Sequence, residues 1–221
     1  MNWVVIILGI VIVLLVFLLY RYLTNTSSQL AYTVSLKTAQ PAITSIADPT
    51  TPSYAYSIWV YVNTWASSTR KTIFGRNNNL VLYLDPNSPT LKLGVKMSDG
   101  NIQEMVITNN FPIQRWVFIA VSADGQYFDV YMDGKLVKSQ RMFNNSVGPA
   151  MPPDSTVPVN LGNGWDATVS SFQRYTRPMD PQTAWTKYMA GNGTSMNPFS
   201  AYNVNLNVLQ NGVQSSQISI W

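Results

Sequence analysis

The sequence predicts an all-β domain, a two-sheet antiparallel jelly-roll sandwich with one short helix, preceded by a single N-terminal transmembrane helix. Three observations predict it. Residues Asn2 to Tyr20 carry no charge at all. Tyr54 to Val62 alternates with the period of a strand, and its residues are strong β-formers. The short β-rich segments that follow are punctuated by Asp–Gly and Asn–Gly pairs, which tolerate the positive φ angles of tight hairpins.

The uncharged run comes first in the chain. A helix needs about 20 apolar residues to cross about 30 Å of hydrocarbon, and the run from Trp3 to its closure at Arg21 is that long. Trp3, Tyr20 and Tyr22 stand where interfacial aromatic anchors belong, so residues 1–23 are assigned as an anchor with the lipid bilayer as its partner. A cleaved secretory signal fits less well. No Lys or Arg precedes the run, the run exceeds the roughly 7–15 residues of a signal's apolar region, and Ser27 to Ala31 is a poor cleavage site. Arg21 and Lys37 both follow the run, which by the positive-inside rule keeps the domain on the cytosolic side.

Composition narrows the chemistry. The chain has no Cys and no His, which removes disulfide scaffolds, thiolate and imidazole metal sites, cysteine nucleophiles and serine–histidine triads. Its net charge of +4 is spread over 14 basic residues without a run, so it reads as a solvated surface and not as a nucleic-acid footprint. Sequons at Asn25, Asn144 and Asn192 arise readily in a chain this rich in Asn, Ser and Thr.

After the anchor, residues 24–52 read as a polar linker punctuated by Pro41, Pro49 and Pro52, with room for one edge strand from Gln29 to Leu36. Residues 53–221 read as the sandwich. In its first strand Tyr54, Tyr56, Ile58, Val60 and Val62 share one face while Ala55, Ser57, Trp59 and Tyr61 share the other. Both faces are partly apolar, so both need cover. Further strands are expected at Lys71–Phe74, Leu80–Leu84, Leu91–Met97, Ile102–Thr108, Trp116–Val121 and Tyr127–Met132, with hairpins at Asp99-Gly100, Asp124-Gly125, Asp133-Gly134 and Asn211-Gly212. Asp180 is placed to cap a helix that starts at Pro181 and ends at Gly191, with Trp185 and Tyr188 turned together toward a sheet. Alternation from Tyr202 and a return through Val213 to Trp221 predict a closing hairpin.

The succession of Tyr56–Val62, Thr72–Arg76, Arg115–Gly125 and Phe128–Val137, followed by Asn160–Gly164 and Val169–Pro181, resembles the concanavalin A-like, laminin-G-like jelly-roll family from about Tyr54 to Gly191. The resemblance implies two packed antiparallel sheets and a habit of binding, since the family includes carbohydrate lectins, adhesion modules and some glycosidases. Fold alone does not choose among these.

Site residues must choose. Glycosidases of this fold need paired carboxylates, and the chain has a single Glu, Glu104. Most of its Asp residues precede Gly or Pro in turns, which leaves Asp129, Asp154 and Asp166. No catalytic residue, metal ligand or cofactor is therefore expected. A sugar contact could be built from Trp65, Asn77, Asn78, Trp165 and Asp166. Against it, both Trp residues can pack under loops, and Asn77 to Asn79 can be the turn entering the Leu80 strand.

A charge-poor domain held at a bilayer and rich in Asn, Tyr and Trp is suited to contact between a membrane and a protein layer. An anchored, cysteine-free domain of this kind also resembles membrane-anchored minor capsid proteins of large icosahedral DNA viruses. That resemblance implies an anchor in the virion's internal membrane, a domain facing the capsid shell, and other capsid proteins as partners. The alternative is a membrane-bound carbohydrate-binding or adhesion module. If the first segment spans a bilayer, Val11→Asp should cost about 2.5–3.5 kcal/mol of insertion and move the protein into the soluble fraction. Carbonate-resistant membrane association unchanged by the substitution would rule the span out.

Overall fold

The strand from Ser53 to Val62 organises the molecule, because its alternation leaves no face that water can tolerate. The computed structural model describes residues 3–24, 27–66, 69–193, 205–210 and 213–219. In chain order the elements are α1 (Trp3–Thr24), β1 (Ser27–Ala31), β2 (Val34–Ser35), β3 (Ser53–Val62), β4 (Lys71–Arg76), β5 (Leu80–Leu84), β6 (Leu91–Lys96), β7 (Ile102–Thr108), β8 (Trp116–Asp124), β9 (Tyr127–Met132), β10 (Lys135–Arg141), β11 (Val159–Leu161), β12 (Ala167–Tyr175), α2 (Pro181–Met189), β13 (Asn205–Gln210) and β14 (Val213–Ser219). Two antiparallel sheets pack face to face. One runs β1-β12-β3-β8-β9-β10, with β2 also on β12, and the other runs β11-β4-β5-β6-β7.

The faces of β3 fall as the alternation requires. Tyr54, Tyr56, Ile58, Val60 and Val62 enter the core between the sheets, where they meet Phe74, Leu82, Leu93, Val130 and Phe172. Ala55 and Trp59 lie on the far side, in a second cluster with Phe118, Tyr131, Tyr175, Met179 and Ala184 of α2. The seven-stranded sheet is thus covered twice, by a sheet inside and by a helix outside.

The helix is built as its sequence specifies. The Asp180 carboxylate accepts from the Thr183 amide at 2.8 Å and from its hydroxyl at 2.7 Å, Pro181 opens the first turn, and Gly191 follows in the left-handed region at φ 79°. Such a cap contributes about 1 kcal/mol. Tyr188 stacks on Trp59 with ring centroids 5.7 Å apart, whereas Trp185 stays 46% exposed.

The expected hairpins are present at different levels of detail. Only Asp133-Gly134 places both residues at positive φ, 47° and 76°; at Asp99-Gly100 and Asp124-Gly125 the glycine alone does so, at 88° and 60°. Asn211-Gly212 lies outside the described residues. Asp133 does more than turn the chain: its carboxylate accepts from the Phe118 amide at 3.0 Å and from Arg115 Nη2 at 2.7 Å.

Three expectations change. Residues 24–52 do not merely link. β1 and β2 pair with β12 in the seven-stranded sheet, Leu36 and Ile46 are buried in the main core, and the Arg174 guanidinium binds the carbonyls of Ala47 and Asp48. The C-terminal hairpin does not close the sandwich: among the described residues β13 and β14 pair only with each other. At the N-terminus the structure bears out the helix and not the span. Among the described residues no helix is long and apolar enough to cross a membrane. The side chains of Tyr20, Arg21 and Tyr22 are outside the described set, and Trp3 is 78% exposed.

Gly134 is where α2 touches the β9–β10 turn. A Cβ there would lie 2.9 Å from Trp185 Cε3 and 3.1 Å from Tyr188 Cβ, whereas at Gly100 nothing lies within 4 Å. Both glycines have positive φ, so alanine at either costs about 1–2 kcal/mol of backbone strain. Gly134→Ala should lower the urea midpoint clearly more than Gly100→Ala. Equal losses would mean that α2 does not press on the turn.

Candidate functional site

The loops that carry Trp65, Trp165 and Asp166 are committed to the fold. Trp165 is 6% exposed and its indole N–H donates to the Thr72 carbonyl at 2.8 Å, so it ties the loop before β12 to β4 and offers no face to a sugar. That corrects its place among the expected glycan contacts. Trp65 packs partly buried against the main core, with Lys71 Nζ 4.1 Å from its ring centroid. Lys71 itself is 1% exposed, and its ammonium is spent on the carbonyls of Thr69 and Pro86.

Asp166 is equally engaged. Its carboxylate accepts from Asn63 Nδ2 and Thr64 Oγ1, each at 2.9 Å, and pairs with Lys37 Nζ at 3.2 Å. Its carbonyl accepts from the Asn63 amide at 3.0 Å. It is a clasp between the ends of β3 and β12. Among the described residues no group of three or more His, Cys, Asp or Glu could hold a metal ion.

Asn77 and Asn78 stand apart from these residues, in the β4–β5 turn. Both are exposed, and Asn78 takes φ 58°. Asn79 is buried and accepts from the Tyr54 hydroxyl at 2.9 Å. The three residues form the turn, as their composition allowed, but they also border a groove of about 590 Å³ on the outer face of the five-stranded sheet. Its floor follows from the register: Asn160 lies opposite Gly75, Gly75 opposite Val81, Val81 opposite Gly94, and Gly94 opposite Glu104. Two glycines in that row lower the surface beside larger neighbours. Next to it the Arg70 guanidinium sits 3.6 Å over the Tyr83 ring. The Tyr83 hydroxyl donates to Glu104 Oε1, and burial together with that carboxylate pushes the phenol up to about 12.

A second concavity, of about 540 Å³, opens where α2 meets the edges of the two sheets. Met132, Val137, Trp185 and Tyr188 line it together with Ile107 and Pro112. Val137 is 43% and Trp185 46% exposed. Ile113 and Met189, next in the chain to the lining residues Pro112 and Tyr188, are 46% and 64% exposed. Sequence reasoning passed over this seam, although Leu136 and Val137, set between Lys135 and Lys138, were a visible sign of an apolar pair on a charged strand.

A laminin G family profile, described as the concanavalin A-like lectin/glucanases superfamily, matches residues 37–184. No curated protein matches the chain. Among solved structures, the receptor binding domain of botulinum neurotoxin D is similar with a TM-score of 0.55 at 11% identity, over 74% of this chain and 45% of that one. The receptor binding domain of botulinum neurotoxin type G gives 0.52 at 11% identity, over 75% and 46%. The binding domain of botulinum neurotoxin DC in complex with rat synaptotagmin II gives 0.51 at 15% identity, over 65% and 37%. The chain spans less than half the length of these structures, and at such identities the likeness is one of fold.

The Asp166 clasp has a pH signature. Partial burial pushes its carboxyl up, and hydrogen bonds from Thr64, Asn63 and Lys37 together outweigh that and hold it below the usual carboxylate range. With the folded value below the unfolded one, its contribution to stability is complete above the unfolded pKa and is lost as pH falls through the folded pKa. The stability gap between the parent protein and Asp166→Asn, measured by urea unfolding from about pH 7 down to about pH 2, should narrow through that acid range. A gap independent of pH would contradict the clasp.

Proposed function

Since the chain belongs to the concanavalin A-like lectin/glucanases superfamily, we propose that it is a non-enzymatic binding module, tethered to a membrane through α1, whose sandwich docks on a protein layer beside that membrane. This is the arrangement of a minor structural protein in a virion with an internal membrane, the domain facing the capsid shell. The observation that carries the docking is the seam lined by Met132, Val137, Trp185 and Tyr188, with Val137 and Trp185 nearly half exposed, since monomeric proteins rarely leave large contiguous apolar patches in water and Trp and Met are favoured at protein interfaces. The tether is supported by α1 itself. The described side chains from Ile7 to Leu19 that are large and apolar are 46% to 69% exposed, which is costly in water and favourable in lipid. Glu104 is bonded by Tyr83 and stands 3.9 Å from Lys92, which also pairs with Asp85 at 2.9 Å, so both carboxylates are held by structural partners.

The second reading, a membrane-bound carbohydrate-binding module, draws on the outer groove bordered by Asn77 and Asn78, and on the receptor-binding domains among its structural neighbours. Two measurements on the full chain separate the readings. Cross-linking from Lys135, which lines the seam, should capture other protein chains in the native membrane assembly, and Trp185→Asp should abolish the capture, with its melting temperature reporting separately the loss of the half of the side chain packed on Tyr188. A glycan array should stay silent. Competable glycan binding lost in Asn77→Ala or Asn78→Ala, with no protein cross-links from Lys135, would replace the docking reading with the lectin one.

A further inference from the structure

The outer face of the five-stranded sheet carries a second, chemically different surface. The groove of about 590 Å³ lies within the size range of ligand sites, and the charged residues that line it, Arg70, Arg76 and Lys96, are basic, with Glu104 at the end of the floor row. Arg76 is 3% exposed and spends its N–H groups on the carbonyls of Pro49, Pro153, Asp154 and Val157, so it contributes field and not contact. Arg70 lies over the Tyr83 ring and Lys96 gives one N–H to the Gly100 carbonyl, so each keeps further donors, and among the described residues neither is in an ion pair. The neighbouring acids are already engaged, Asp85 with Lys92 at 2.9 Å, Glu104 with Tyr83, and Asp99 with the Asn101 side chain at 2.8 Å.

The same floor lacks what a neutral saccharide needs. It is aliphatic and glycine-lined, through Gly75, Val81 and Gly94. The adjacent ring, Tyr83, is 4% exposed and has Arg70 over one face, so no aromatic platform is open for stacking. What remains is positive charge flanked by the exposed carboxamides of Asn77 and Asn78. Those groups bind carboxylates by charge and peptide groups by hydrogen bonds.

We propose that this groove receives an acidic, extended segment of a partner protein, its carboxylates held by Arg70 and Lys96. The proposal rests on the reading of the domain as a protein-docking module and adds a second contact to the apolar seam. The two fail separately, because the seam is tested by Trp185→Asp and the groove by charge reversal.

The test uses the full chain in detergent micelles, with a hexaglutamate peptide, a sulfated hexasaccharide and a neutral hexasaccharide as probes, read by calorimetry at two salt concentrations. The peptide should bind, more weakly at the higher salt, and Arg70→Glu with Lys96→Glu should weaken it at least about tenfold. Lys138→Glu, which reverses one partly exposed charge on β10 in the other sheet, controls for a charge reversal away from the groove and should change it less than about twofold. Melting temperatures of the variants keep folding separate from binding. The proposal is overturned if the peptide does not bind, if the groove reversals act no more strongly than Lys138→Glu, or if the sulfated hexasaccharide binds more tightly than the peptide at the same residues.

Discussion

Everything in this fold depends on a strand that is apolar on both faces. β3 lies between β12 and β8, and from Tyr54 to Val60 no residue is left in water. One face is satisfied by the five-stranded sheet, the other only by the segment after β12. Met179 and α2 are therefore part of the core and not decoration on a finished sandwich. The Tyr131 hydroxyl donates to the Met179 carbonyl at 3.1 Å, and the Met179 amide donates to Ser122 Oγ at 2.8 Å. These bonds satisfy the polar groups of a chain that must cross an apolar sheet face. The seam between α2 and the sheet edges exists because the helix is too short to cover the face to its end.

The second constraint is electrostatic. Arg76 and Arg174 are 3% and 1% exposed, yet the groups they bind are backbone carbonyls and not carboxylates. Arg76 gathers the segments at Pro49 and at Pro153–Val157, while Arg174 holds Ala47 and Asp48. Two tyrosines share the space: the Arg174 guanidinium lies 5.6 Å from the Tyr54 ring centroid and 5.8 Å from that of Tyr56. Burial of these phenols pushes both well above the ordinary tyrosine value, so they stay neutral. A chain so poor in acids closes its long loops with guanidinium–carbonyl bonds, and this draws residues 46–50 into the domain.

With the Trp and Asp residues of the loops absorbed into that scaffolding, the surfaces free for recognition are those the packing leaves over. The apolar seam and the basic groove lie on different parts of the sandwich and have different chemistry. A module that presents both can be oriented as well as held by a neighbour, since charge steers approach and apolar burial slows departure.

The sequence by itself determined the elements whose cause is local. Period-2 alternation placed β3 and its two faces, the Asp180 and Pro181 pair placed α2, and Asp133-Gly134 placed a type I′ turn, because in each the deciding interaction lies within a few residues. It also supplied the order of motifs from which the sandwich was legible, and the carboxylate and imidazole shortage that argues against catalysis. Tertiary structure decided what depends on contacts distant in the chain. Trp165 looked like a loop aromatic, but the Thr72 carbonyl, 93 residues earlier, turns it inward. Asp166 became a clasp through Asn63 and Thr64, and residues 24–52 joined a sheet through Arg174 and β12, more than 100 residues on. The groove is the clearest case: Arg70, Asn77, Gly94 and Asn160 have no common sequence pattern, and only the register of four strands makes them neighbours.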